Sequence, residues 1–240
     1  MKISRERLLD QASATGFRPE ILEKTILLLG LLERFLEHPF IQGRVALKGG
    51  TALNLFHFEV PRLSVDIDLN YIGAVERETM LEECPKLEEA IRAVCSREGF
   101  NIARSPTEHA GGKYRLRYVS ALGQGGNLEV DVNYMLRLPL WTPQHLDSRS
   151  VGAYRAKGIP VIDLHELAAG KLSALLSRRA SRDLYDAYEL FRRAKLERDK
   201  LRFAFIVYGA MNRKDWRTVS VSDVDFDAAN AARGILPTYR

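Results

Sequence analysis

Ser64-Val65-Asp66-Ile67-Asp68-Leu69-Asn70 alternates strictly between polar and apolar residues. A period of two is the signature of a strand with one buried and one open face. Val65, Ile67 and Leu69 therefore belong to the core, while Asp66, Asp68 and Asn70 share the opposite face. Upstream, the apolar run Val45-Ala46-Leu47 stops at Gly49-Gly50-Thr51, which predicts a buried strand, a tight turn and a short helix over 51–58. Two strands joined through a glycine turn and a short helix form the centre of an α/β or α+β unit.

Outward from this centre, 19–38 has the spacing of an amphipathic helix. Pro19 suits its first position, and Leu22, Ile26, Leu29, Leu32 and Leu36 mark one face. Residues 76–98 read as a helix broken or restarted at Pro85 and stopped by Gly99. Residues 113–120 and 128–134 alternate again on either side of Gly123-Gln124-Gly125-Gly126-Asn127, which predicts a hairpin. From Ile159 the pattern turns helical. Asp163 and Glu166 form a D-x-x-E start signal for a helix reaching Arg178, another covers about 181–195, and one or two more fall within 198–233. The expected fold class is α+β (α/β) and two-lobed: a mixed-sheet lobe with N-terminal helices over 1–150 and a helical C-terminal lobe over 151–240, the boundary falling within 139–160.

The 240 residues are enough for one sizeable core or two small lobes sharing an interface. At 46% hydrophobic and 28% charged, without repeats or low-complexity tracts, the chain belongs with ordinary globular proteins rather than fibrous or disordered ones. The net charge of +5 suits an anionic partner such as a nucleotide or nucleic acid. Cys84 and Cys95 lack C-x-x-C or C-x-x-H spacing, so neither a disulfide framework nor a zinc site is expected. The most apolar run, 26–32, is interrupted by Gly30, flanked by charges and far short of the ~20 residues a membrane span needs. With no apolar secretory segment near Met1, a cytoplasmic location without a membrane partner is expected.

Asp66 and Asp68 leave one strand on one face, and two carboxylates held that close repel each other unless a cation lies between them. Oxygen ligands of this kind suit Mg²⁺, which completes its shell with waters and substrate phosphates. Gly49 and Gly50 let the backbone approach a phosphate, the helix start offers free N–H groups, and Thr51 adds a hydroxyl. A third carboxylate, Asp131 or Glu129, completes a two-metal site if the 128–133 strand neighbours 64–70. Further along, Lys171 projects within the apolar arc drawn by Leu164, Leu167, Ala168, Leu172 and Leu175, so it needs an anion or must snorkel to water. Asp183, with Asp186 as a second candidate, stands ready to orient Lys171 or Arg182.

Leu47-Lys48-Gly49-Gly50-Thr51-Ala52-Leu53, Arg62-x-Ser64-x-Asp66-Ile67-Asp68-Leu69, Glu166-Leu167-x-x-x-Lys171-Leu172-x-Ala174-Leu175 and Arg182-Asp183-Leu184-Tyr185-Asp186 together resemble the AbiEii/AbiGii toxin family of nucleotidyltransferases, within the DNA polymerase β-like superfamily. The resemblance implies a metal-dependent enzyme that moves an NMP from an NTP to an acceptor. In it Asp66 and Asp68 are the metal pair, with Asp131 third. Gly49, Gly50 and Thr51 form the triphosphate cradle, with Arg62 and Ser64 also binding nucleotide. Lys171 contacts the nucleotide and Asp183 is the helical-lobe acid. It further implies the toxin of a bacterial toxin–antitoxin or phage-defence system, a separately encoded antitoxin, and RNA, including the tRNA 3′ end, as acceptor. The rival reading is a non-catalytic nucleic-acid or partner binder on a degenerate fold. Its feature is Arg115 and Arg117 alternating with Tyr114 and Tyr118 as a face for RNA.

Overall fold

The computed structural model describes residues 3–59, 62–105, 111–178, 180–212, 214–225, 229 and 235–239. Helix α1 (Arg5–Thr15) starts at Ser4, whose side chain accepts from the Arg7 N–H, and ends at Gly16 in the left-handed conformation. Helix α2 (Pro19–Glu37) carries Pro19 in its first turn and is buried along the predicted face. Strand β1 (Val45–Lys48) runs directly into α3, which is α-helical over Gly49–Thr51 and π-helical over Ala52–His57. The helix thus begins at Gly49, two residues before the expected start. Then come β2 (Asp66–Tyr71), α4 (Arg77–Arg97), β3 (Asn101–Arg104), β4 (Gly111–Val119), β5 (Gly125–Asn133), β6 (Gln144–Leu146) and β7 (Ile159–Val161). Helices α5 (Leu164–Arg178), α6 (Ser181–Arg193) and α7 (Arg198–Ala210) follow, with 3₁₀ turns at Trp216–Thr218, Val221–Val224 and Leu236–Thr238.

The seven strands form one mixed sheet in the order β3-β4-β5-β2-β1-β7-β6. β2 lies antiparallel to β1 and parallel to β5, and β7 lies parallel to β1. One face carries the buried residues Ile67, Leu69, Tyr114, Leu116, Leu128 and Val130, which join the core side of α2 and α4. Glu23 of α2 is buried there and accepts from Ser120 Oγ at 2.5 Å and the Ala121 N–H at 2.7 Å, tying the turn of the β4–β5 hairpin to the helix. Such a carboxylate is tolerated because its hydrogen-bond capacity is met.

Several expectations change. Pro85 does not break α4: it sits inside a continuous helix on an exposed position, where water can satisfy the carbonyl it leaves free, while Met80 and Leu87 hold the flanks in the core. Strands β3, β6 and β7 are too short to announce themselves by alternation. β7 places 159–161 in the sheet, so the sheet extends beyond residue 150. A contiguous core includes Leu167, Ala168 and Leu190 of the helices together with the sheet residues, so the two regions share one interior. Glu166 does not close a capping box. The start of α5 is served by Asp163, which accepts from the His165 N–H at 2.7 Å, while Glu166 points elsewhere. The final predicted helical range ends at Arg233, among residues outside those described. Cys84 and Cys95 are both free thiols. Among the described residues no helix is long and apolar enough to cross a membrane.

Candidate active site

Sheet register explains how scattered residues meet. Antiparallel β1 sets Lys48 beside Asp68, parallel β5 sets Asp131 on the other side of Asp68, and antiparallel β4 sets Lys113 beside Asp131. One row across four strands therefore reads Lys48–Asp68–Asp131–Lys113. The next row contains Asp66, Glu129 and Arg115. Residues paired in register share a face, so all of these side chains lie on the side of the sheet opposite the α2–α4 core.

The two rows differ in what their carboxylates already hold. Glu129 pairs with Lys113 at 3.2 Å and with Arg115 at 3.3 Å. No ion pair among the described residues engages Asp131. Of the two sequence candidates for a third carboxylate, Asp131 is therefore the one left available, and it adjoins Asp68. Burial pushes the Asp68 carboxyl above its ordinary range, against the pull of Lys48 and Lys171. Burial, followed by the neighbouring Asp68 charge, raises Asp66 in the same direction. Burial lowers Lys48, with Asp68 and Asp131 opposing the change. Two carboxylates held in an environment that resists their charge are stabilised by a cation. Among the described residues no group of three or more His, Cys, Asp or Glu side chains closes around one point tightly enough to hold an ion alone. A pair of carboxylates with the remaining positions left to water and phosphate is the arrangement that suits Mg²⁺.

The glycine turn abuts this row. Gly49 has φ +75°, and a Cβ there would fall 2.0 Å from Asp68 Oδ2. Only glycine permits both the conformation and the approach. A Cβ on Gly50 would lie 3.2 Å from Ser64 Oγ, 3.5 Å from Lys171 Nζ and 3.6 Å from Arg62 Nη2, so the expected cradle residues surround one small space. Thr51 differs from its expectation: it is fully buried, and its hydroxyl donates to the Asp66 backbone carbonyl, fastening α3 to β2 instead of facing the space.

Two clefts meet at Asp68, Lys171 and Arg178. One, about 310 Å³, is lined by Gly50, Arg62, Ser64, Asp66, Arg182 and Thr238 among others and is mostly polar. The other, about 320 Å³, adds Lys48, Gly49 and Asp131 and has apolar walls from Leu136, Ile162, Leu167, Ala174 and Tyr208. Glu166 closes part of that wall, accepting from the Trp141 N–H at 3.3 Å and from Tyr208 Oη at 3.1 Å.

Lys171 finds its anions within the protein, 2.8 Å from Asp186 and 3.3 Å from Asp183. Asp186, fully buried, also accepts from Arg62 Nη2 at 2.9 and 3.1 Å and from Asn54 Nδ2 at 3.4 Å. Asp183 accepts from Arg178 Nε at 2.7 Å and Nη2 at 2.9 Å. Burial alone would raise Asp183, but the Arg178 hydrogen bonds and the Lys171 charge outweigh it and hold the carboxyl below its ordinary range. The structure thus gives the sequence's two alternatives distinct surroundings: Asp183 binds Lys171 and Arg178, and Asp186 binds Lys171 and Arg62. Lys48, Arg178 and Thr238 also line the clefts and had no assigned role in the sequence reading. Lys48 carried a signal, a charged residue closing an otherwise apolar strand. Arg178 and Thr238 carried none, because only tertiary packing brings them here. Tyr114 is buried on the opposite face and Tyr118 is half-buried, so the aromatics do not interleave with Arg115 and Arg117 on an open surface.

A family model described as the nucleotidyl transferase AbiEii toxin of a type IV toxin–antitoxin system matches residues 30–234. Among solved structures, MenT4, a nucleotidyltransferase toxin from Mycobacterium tuberculosis H37Rv, is similar with a TM-score of 0.63 and 21% identity, over 95% of this chain and 80% of that one. At that identity the likeness establishes a common fold. No curated protein matches the sequence.

Proposed function

The chain belongs to the AbiEii nucleotidyltransferase toxin family, and from that premise we propose that it transfers an NMP from an NTP to an RNA 3′ end, tRNA being the foremost candidate, with Mg²⁺ held at Asp66 and Asp68. As a member of that family it is a nucleotidyltransferase using an NTP, a toxin of a system that includes an antitoxin. The rest is the present reading. The observation that carries it is the row Lys48–Asp68–Asp131–Lys113 with the Gly49 turn packed directly against Asp68.

In this reading Gly50, Ser64, Arg62 and Lys171 bind the triphosphate. Arg62 Nη2 borders the space beside Gly50 while Asp186 holds it in place. Asp186 holds Arg62 and Lys171 toward the cradle, and Asp183 fixes Lys171 from the other side together with Arg178. Asp66, Asp68 and Asp131 face the point where the acceptor hydroxyl attacks the α-phosphorus and pyrophosphate leaves. When bound, Mg²⁺ supplies charge neutralisation for the phosphates and for the attacking and leaving oxygens. Leu136, Ile162 and Leu167 give the neighbouring cleft apolar walls against which the nucleotide can pack. We read the sheet through Val161 as the catalytic lobe and the helices from Leu164 onward as the second lobe.

The test is transfer of label from each α-³²P NTP to total bacterial RNA with Mg²⁺, comparing wild type with Asp68→Ala. A discrete labelled RNA band that disappears in the variant is expected, with circular dichroism showing both proteins folded. Undiminished labelling by Asp68→Ala overturns the metal-site assignment. Absence of RNA label with every NTP, from folded wild type, overturns the acceptor.

A further inference from the structure

The sheet face that holds the carboxylates does not end with them. On β4 the residues of that face are Lys113, Arg115 and Arg117, at successive two-residue steps. Register sets Arg117 beside Asn127 of β5 and Asn101 of β3, and sets Arg115 beside Arg104 of β3. All six are polar, and the three β4 residues, Asn101, Arg104 and Asn127 are exposed. Two steps of ~7 Å each along a strand make a basic track on the order of 14 Å long. It begins at the row of Asp68 and Asp131 and leads away from it.

We propose that this track on the open face of the β4–β5 hairpin carries the phosphates of a single-stranded RNA end toward the carboxylates. The inference rests on the reading of RNA as acceptor and adds where that RNA lies. Charge complementarity is the argument for the occupant. Arg104 and Arg117 have no carboxylate partner among the described residues. Lys113 and Arg115 share Glu129 in exposed pairs whose side chains are 56% and 55% accessible. Exposed pairs of this kind contribute little and are readily exchanged for phosphate. Arginine is suited to phosphate through its forked donors. The track ends beside Asp131 and Asp66, so an RNA lying on it presents its terminus to the two clefts. The opposite face cannot serve, since Tyr114, Leu116, Leu128 and Val130 are buried there.

The experiment measures binding of a fluorescein-labelled single-stranded RNA 12-mer by anisotropy over a salt series. It compares wild type, Arg115→Gln/Arg117→Gln, and a control with the same charge loss on exposed positions of α7, Arg198→Gln/Arg202→Gln. Binding of Mg²⁺-ATP and the other NTPs is measured in parallel. The track variant is expected to lose roughly ten-fold in RNA affinity at low salt and to flatten the salt slope by roughly 0.7 for each lost phosphate contact, with NTP affinity unchanged. The control is expected to match wild type. An equal loss in both variants means that net charge alone binds RNA, and overturns the track. So does unchanged RNA binding and labelling by the track variant while wild type labels RNA; in that case the acceptor reading stands and only the track fails. If wild type binds NTP yet neither binds nor labels RNA, the acceptor reading fails and the track falls with it.

Discussion

Substituting alanine at the two adjacent glycines separates the fold from the cradle. At Gly49 the added methyl group meets two penalties. The left-handed conformation at φ +75° costs an L side chain ~1–2 kcal/mol. The Cβ would lie 2.0 Å from Asp68 Oδ2 and 2.9 Å from its carboxyl carbon, so the carboxylate or the turn must move, a strain of about 1–3 kcal/mol. The sum, roughly 2–5 kcal/mol, lowers the unfolding midpoint by about 4–20 °C for a chain of this length. Whichever relaxes, the placement of Asp68 against the turn is lost, and a displacement of about 1 Å in reacting geometry is enough for a hundred-fold loss of rate. At Gly50 the outcome inverts. Its backbone is helical without a positive φ, and its nearest neighbours stand at 3.2–3.6 Å, all of them side-chain ends. The better helix propensity of alanine, ~1 kcal/mol, offsets that tightness. Gly50→Ala therefore keeps its melting temperature within a few degrees but raises the KM for NTP, because the methyl group fills the space among Ser64, Lys171 and Arg62. Differential scanning fluorimetry and labelled-NTP transfer read both effects. A Gly49→Ala protein as stable and active as wild type would refute the claim that the turn and Asp68 are sterically coupled. A Gly50→Ala protein with unchanged KM would remove Gly50 from the cradle.

The remaining expectations concern the carboxylates. Asp131→Asn abolishes transfer, whereas Glu129→Gln retains it and costs under about 1 kcal/mol for two exposed pairs; steady-state rates and urea melts check both, and the reverse order of activities would make Glu129 the third carboxylate. Asp186→Ala leaves Arg62 and Lys171 buried without their shared anion and destabilises by about 3–5 kcal/mol. Asp186→Asn keeps one acceptor oxygen for Arg62 and folds, but raises the KM for NTP more than it lowers kcat; an equal effect on both parameters would argue against a positioning role. Asp183 has a folded-state carboxyl below its unfolded value, so its stabilising contribution is fully present above about pH 4 and is lost as pH falls through the depressed value. Urea melts between pH 6 and 2.5 should show a shallower acid loss for Asp183→Asn than for wild type; parallel curves would show that the Arg178 pair does not contribute to acid sensitivity.

What the sequence made legible follows periodicity. The alternation of 64–70 and of 113–120 determined both the strands and the face on which Asp66, Asp68, Lys113 and Arg115 lie, because a pleated strand leaves no other choice. The anomaly of Lys171 inside an apolar arc announced a buried cation in need of an anion, and the structure supplies Asp183 and Asp186 within hydrogen-bonding range. What stayed hidden depends on contacts between distant segments. Strand β7 has only three residues and exists because β1 accepts it as a parallel neighbour. Glu166 looked like a cap because its spacing from Asp163 is right, yet the packing of Tyr208 and the Trp141 backbone draws its carboxyl away from the helix start. Pro85 looked like a break because sequence alone does not show that it lies on the wet side of α4. Thr51 looked like a phosphate ligand by adjacency to Gly50, but a helix beginning at Gly49 turns its side chain into the interior.

The charge arrangement in the clefts links these observations. Lys171, Arg62 and Arg178 are held by Asp183 and Asp186, while Lys48 and Lys113 flank Asp68 and Asp131 in the sheet. Most cations that line the clefts are thus already committed to carboxylates, in surroundings where burial penalises the charges of Asp66, Asp68 and Lys48. A triphosphate entering alone would bring its charge against Asp66, Asp68 and Asp131, and it would have to pull Lys171 or Arg62 from carboxylates they already bind. In the proposed reading divalent cations shared by Asp66, Asp68 and Asp131 would remove that repulsion, and the paired lysine and arginines would then need only donate hydrogen bonds from where they are held. The pairing of Lys171 within the protein is thus compatible with nucleotide binding: Asp183 and Asp186 keep a long, flexible cation pointed at Gly50 before the phosphates arrive, so less side-chain entropy is lost when they do.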